Sequence, residues 1–487
     1  MSLSSAINTA QTIFNNTATQ TAIVSKNIAN AGNANYNRRM AHLGTTLGGA
    51  SVLTIQRAQN EALYRQSINS ASATSGQHRL LEGLEGIKSL LGGNDYETSP
   101  SKYLASFRDG LQAFASKPGE ITLAATTVSD AMDVANSINL AATGAQAARL
   151  EADKEIALSV TELNQLLSEF EIANNAVRSA TASGTDPNNA LDQRDKLLGQ
   201  IAEIIGVSTV TRADNDMVLY TADGTVLFET SPRTVSFVPT AGFSASITGN
   251  PIFVDGIAVN AGTGGNSSAQ GKLPALLQLR DDIAPKFQAQ LDEVARGLIT
   301  IFAEKDQSIP ATLPDMPGLF TWAGGTVPAA GTIVPGIAGS LTVNPALIQS
   351  SGGDPMLLRD GGINGAAYVA NTGSNAGFST LLDGYGDGME ADMAFDPAAL
   401  LDSSTSVMNF STQSVGWLEQ LRSSASAAYD NKAALLSTST EALSNKTGVS
   451  LDEELARLLD LEQSYKASAR LVTTVDAMMA ALLEAAR

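Results

Sequence analysis

The chain has 487 residues, 43% of them hydrophobic and 16% charged, with a net charge of −19 and no cysteine. That length supports several domains with real cores, while the acidic balance argues against nucleic acid as a partner. The missing thiols exclude disulfides, thiol catalysis and the common zinc sites.

From Leu3 the series Leu3, Ile7, Ala10, Phe14, Thr17, Thr21, Val24, Ile28 alternates steps of four and three. That spacing predicts an amphipathic helix with a narrow coiled-coil-like seam, ending at Asn30-Ala31-Gly32-Asn33, residues that stop helices. Of the first 36 residues, 16 are Asn, Ser or Thr, a polar bias that leaves an isolated end poorly ordered. Residues 1 to 60 contain Lys26, Arg38, Arg39 and Arg57 and no acid.

After a connector to about Thr54, helices are expected from Ala58 to Leu91, from Pro100 to Ala115 and from Ile121 to Ser183. The last would be a rod of about 90 Å, which needs partners along its length. Asp186-Pro187 opens the next helix, running to Ile205.

The period then changes. Apolar runs flank Asp223-Gly224 and Asp255-Gly256, the strongest short signal for hairpins. Residues 207–270 therefore read as a small β-rich insert. Helix returns from Lys272 to Gln307; 308–400 is Gly- and Pro-rich, with loops and short strands; helix resumes from Ser403 to Ser444. Ser450-Leu451-Asp452-Glu453 forms a capping box for the last helix. There Leu451, Leu455, Leu458, Tyr465, Ala469, Val472, Met479 and Leu483 repeat the four–three grid, interrupted by Glu462 and Asp476. Residues 451–487 hold seven acids against four bases, so this stripe is mildly acidic where the first is mildly basic. Stripes at both ends are best explained if the ends pair with each other or with other copies.

The expected fold is mainly α with a β-rich insert (α+β), nested and elongated, its terminal helices forming a coiled-coil-like layer. Three units are expected: 1–57 with 445–487, 58–206 with 271–444, and the 207–270 insert.

No catalytic constellation is found. His42 and His78 fall in different elements, and no phosphate-binding glycine loop is present. Asp383, Asp387, Glu390, Asp392 and Asp396 miss the calcium-loop spacing and read as a solvated loop. No cofactor or metal is expected, and the protein is not expected to be an enzyme. No 18-residue apolar run spans a membrane, and Met1 to Ala10 has no signal-peptide character.

Ser25-Lys26-Asn27-Ile28-Ala29-Asn30-Ala31, followed by Asn35-Tyr36-Asn37-Arg38, resembles the signature of the flagellar axial family of rod, hook and hook-associated subunits. Asn35 stands where the family has Gly, a mild change because both tolerate left-handed backbone. Leu191-Asp192-Gln193-Arg194-Asp195 and the 448–469 segment resemble elements of the hook-associated junction branch.

The resemblance implies a structural adaptor at the hook–filament junction, built as a ring of copies. It implies the hook protein and a second junction hook-associated protein as neighbours, and an export chaperone on the C-terminal helix. It implies an extracellular, flagellar location reached without a cleaved signal peptide. The family motif falls on Asn27, Ile28, Ala29, Asn30, Tyr36 and Arg38. The assembly seam is expected at Leu3, Ile7, Phe14, Val24 and Ile28 against Leu455, Leu458, Tyr465, Val472, Met479 and Leu483. A hook or rod protein is the alternative within the family. A coiled-coil surface adhesin is the alternative outside it.

Overall fold

A computed structural model describes residues 3–46 and 49–485, with the side chains of 3–5, 46 and 49 outside that description. The chain is mainly helical with small antiparallel sheets. Helix α1 (Leu3–Ala29) carries no glycine or proline. Residues 39–57, expected as a plain connector, instead form a hairpin of β1 (Arg39–Thr46) and β2 (Gly49–Arg57). The hairpin lies against α1, and α1 also packs along the last helix, α11 (Leu451–Ala485). These four elements make a terminal layer.

The rest is a helical bundle. Helix α2 (Glu61–Leu90) is opened by Asn60, whose side chain accepts the Leu63 N–H. It makes the most extensive helix pairing of the molecule with α10 (Val407–Thr447), so the outer pair α1–α11 encloses an inner pair α2–α10. Between them come α3 (Pro100–Ser116), α4 (Ile121–Ser183) and α5 (Asn188–Ile204). The 63-residue α4 is the expected rod, and α3, α5 and later helices cover it. Its internal Gly144 lets Leu90 of α2 approach, since a Cβ there would lie 2.5 Å from the Leu90 Cδ1. Gly184, at φ +69°, closes the helix.

In 207–270 the strands β3 (Val207–Thr211), β4 (Met217–Thr221) and β5 (Val226–Phe228) make one sheet. Strands β6 (Val235–Ser236), β7 (Phe253–Val254) and β8 (Ile257–Ala258) make a second. Asp255 and Gly256 both take positive φ, 50° and 81°, as the tight turn requires. The returning helix stops short of Gln307. It runs as α6 (Lys272–Gln278), a π turn over Leu279–Ile283, and α7 (Ala284–Ile301).

The expected loop region holds short strands β9 (Phe320–Thr321) and β10 (Thr342–Val343). It also holds two helices, α8 (Leu357–Asp360) and α9 (Thr380–Glu390). The pair β11 (Met393–Ala394) and β12 (Ser404–Thr405) leads into α10.

The core sits in the bundle. Phe107, Phe302, Phe320 and Tyr385 form an aromatic cluster at centroid spacings of 4.7–5.8 Å, with Phe107, Phe302 and Phe320 fully buried. No helix of the described residues is long and apolar enough to cross a membrane.

Candidate assembly site: the terminal layer and its polar joint

Helix α1 ends in a buried polar hub. Asn27 is buried, and its side chain is used at both ends. The Nδ2 donates to the Arg39 carbonyl at 3.0 Å and to Glu454 Oε2 at 3.0 Å. The Oδ1 accepts the Tyr36 hydroxyl at 2.8 Å and the Arg39 N–H at 3.0 Å. Burial pushes the Tyr36 phenol up, so it stays a donor at neutral pH. Asn30 Nδ2 closes the helix onto the Lys26 carbonyl at 2.8 Å. Ile28 is half-buried and Ala29 is exposed.

Arg38 ties the layer together. Its Nε donates to Glu454 Oε1 at 2.7 Å and its Nη1 to Glu453 Oε2 at 2.8 Å. The first pair is buried and the second reaches the surface, so the inner one matters more. The Arg38 N–H also donates to the Thr447 carbonyl at 2.8 Å, joining the start of the hairpin to the end of α10.

The other arginines point at α5. Arg39 Nη2 lies 3.1 Å from Asp192 Oδ2 and 2.7 Å from Asn189 Oδ1, with its guanidinium over the Tyr36 ring. Arg57 Nη1 reaches Asp192 Oδ1 at 3.1 Å and Asp195 Oδ2 at 2.7 Å. Burial alone would lower the Arg57 guanidinium, but the Asp195 and Asp192 carboxylates outweigh it and hold it above its ordinary value. Burial pushes the Asp195 carboxyl up against that pull; the 2.7 Å contact makes the two a charged pair at neutral pH. Asn37 Nδ2 adds a third donor to Asp192 at 3.2 Å.

Within the same element, Leu191 is buried and Gln193 is exposed. Arg194 faces inward and braces the bundle, donating to Asn174 Oδ1 and the Asn215 carbonyl. Thus the axial motif and the 191–195 element, which are far apart in sequence, meet at one joint.

Along the α1–α11 seam, Ala10, Thr17, Val24 and Asn27 are buried, and Phe14 meets the Tyr465 ring edge-on at 5.1 Å. On α11 the buried positions are Glu454, Ser468 and Val475, and Leu461 is half-buried. Those four lie one heptad apart. The seam therefore sits one residue away from the expected column of Leu455, Glu462, Ala469, Asp476 and Leu483. Glu462 and Asp476, which interrupt the expected column, are exposed.

Leu458 is half-buried, and Val472 and Met479 are 39% and 42% exposed. Leu455 and Leu483 are 50% and 70% exposed in the single chain. Ile7 is 39% exposed, and the Leu3 side chain lies outside the described residues.

Sequence reasoning missed Asn37, Arg39, Arg57 and Glu454 as site residues. The acid-free first 60 residues were the available signal. Three buried or near-buried arginines in such a stretch must draw their carboxylates from elsewhere.

The acidic run is dispersed. Asp383, Asp387 and Glu390 lie on α9, not in a loop, and Asp396 caps the turn at 397–399. No group of three or more His, Cys, Asp or Glu among the described residues is arranged to hold a metal. His42 and His78 are exposed and far from each other in sequence.

Comparison with known proteins gives two family matches. The family described as "Flagellar hook-associated protein FlgK helical domain" matches residues 84–308. The one described as "Flagellar basal body rod FlgEFG protein C-terminal" matches residues 440–485. The flagellar hook-associated protein 1 of Bacillus subtilis is 22% identical over 477 residues, covering 91% of this chain and 87% of the relative. That of Salmonella typhimurium is 26% identical over 314 residues, covering 62% of this chain and 56% of the relative. The chain thus spans just over half the length of the Salmonella protein. A solved structure, the flagellar hook junction protein FlgK from Burkholderia pseudomallei, aligns with a TM-score of 0.42 at 21% identity, over 53% of this chain and 47% of that one.

Proposed function

The chain belongs to the flagellar hook-associated protein FlgK family, and from that premise we propose that it joins hook to filament as a ring of copies assembled through the terminal layer. The family is structural and flagellar. The finer reading rests on one observation: α11 keeps a broad apolar surface after α1 has packed on it. Leu451, Leu455, Leu459, Leu471, Met478, Leu482 and Leu483 are 48–70% exposed. So many large apolar side chains left in water along one helix mark an interaction site. Neighbouring copies would bury it, so assembly would stabilise the ends further.

In this reading residues 1–57 with 445–487 act as the axial unit, 58–206 with 271–444 as the spacer bundle, and 207–270 as the tip. The hook protein lies on one side and a second junction protein on the other. A chaperone shields α11 before export, and the protein works outside the cell after export without a cleaved signal peptide.

The test is complementation of a deletion strain with the full chain and with a chain lacking 451–487. The full chain should restore filaments on bare hooks, and the truncated one should fail to join them. Failure of the full chain would sink the junction reading and favour a hook or rod role.

A further inference from the structure

The terminal layer and the bundle meet almost without a shared apolar core. Among the described residues, the extensive pairings of α1, the hairpin and α11 are with one another, and the hairpin reaches the bundle through polar contacts of Arg39, Ile55 and Arg57 with α5. The chain crosses between the two bodies at residues 57–60 and 447–450. Beside these crossings opens a groove of about 1350 Å³, lined from the layer side by residues such as Tyr36 and Ile55 and from the bundle side by Pro187, Leu191 and Leu443. A joint built this way permits relative motion unless something polar holds it.

What holds it is concentrated on one carboxylate. Asp192 accepts from Asn37, Arg39 and Arg57, all three from the layer. Asp195 backs it through Arg57, and Asn188 Nδ2 donates to the Ile55 carbonyl at 2.9 Å. The clamp is not saturated: Arg39 Nε and Arg57 Nε are buried without a hydrogen-bond partner. A partly satisfied ionic cluster fixes an orientation sharply while adding little net stability.

We propose that Asp192 is the latch of a pivot between the terminal layer and the bundle. Latched, the free subunit holds one tilt of the layer. Unlatched, the layer swings as a body about 57–60 and 447–450, with its own hub at Asn27, Arg38 and Glu454 intact. The pivot is a property of the single chain and does not depend on the ring reading.

The absence of native cysteine makes the test direct. Spin labels go on the full-length chain at Ser437→Cys of α10 and Gln463→Cys of α11, both exposed. Pulsed electron spin resonance then reads the distance between bundle and layer. The otherwise unaltered chain should give one narrow distance. Asp192→Asn should lose it and give a broad or shifted distribution. Arg39→Gln, which cuts the same contact from the layer side, should do likewise. The double variant should go no further than either single one. A helical melt of each variant close to that of the parent keeps misfolding out of the result. A narrow, unshifted distance in both variants would overturn the latch. So would a parent distribution already as broad as theirs.

Discussion

The bundle and the terminal layer are held by different physics. The bundle buries large side chains, including the fully buried Phe107, Phe170, Phe302 and Phe320. The layer buries small or polar groups at its seam, such as Ala10, Thr17, Asn27, Glu454 and Ser468. Apolar area removed from water drives folding at about 25 cal/mol per Å²; by that measure the bundle, with its large buried side chains, is stabilised more than the layer. The difference teaches that a layer can be specified closely while stabilised weakly. Its hydrogen bonds select the geometry, and large apolar side chains of α11 stay exposed.

The sharpest way to break this contrast is in the bundle. Phe107→Ala removes the ring packed between Phe302 and Phe320; a loss of about 3–5 kcal/mol is expected. It should appear as a large drop in the helical melting midpoint. A small drop would mean the aromatic cluster is not the centre of stability.

In the layer, Glu454→Ala removes the fully buried acceptor that the Arg38 Nε and the Asn27 amide share. The local cost is about 3 kcal/mol. Limited proteolysis should then cut within α11 sooner, with the bundle melt almost unmoved. Equal loss in both bodies would show them to be one cooperative unit.

Val475→Ala trims the apolar contact of α11 that is 8% exposed. About 1–1.5 kcal/mol is expected from the lost methyl groups, read as faster amide exchange confined to α1 and α11.

The smallest expected effect is a pH slope in the bundle. Burial pushes the Asp292 carboxyl up to about 6, although the Gly336 and Ala338 N–H groups and Gln288 donate to it. Its folded pKa lies above its unfolded one. Its contribution is therefore fully present below about pH 4 and is lost as pH rises through about 6. Asp292→Asn should remove that part of the slope from the bundle melt between pH 4 and 7, and leave the layer's proteolysis pattern unchanged.

Much of the secondary structure was legible locally. The 63-residue α4 follows from a stretch without proline, and the Asp255-Gly256 turn follows from two residues that tolerate positive φ. The hairpin at 39–57 was not legible, because Gly44, Gly48 and Gly49 break the stretch and read as a connector. Its strands gain their meaning only by lying on α1.

The sequence by itself determined the helical ends, the β-rich insert, the absence of thiol chemistry and the motifs that carry the family likeness. Only the tertiary structure decided which face of α11 turns inward. Apolar periodicity scores Leu455 and Leu483 as core, yet Glu454 and Ser468 occupy the inner column: Asn27 and Arg38 supply polar partners to Glu454, and Ser468 donates to the Ser464 carbonyl of its own helix. It alone decided that Asp192 would serve Asn37, Arg39 and Arg57 together. Periodicity is a property of one helix. The identity of a buried charge's partner depends on contacts more than 130 residues apart, and no local pattern encodes them.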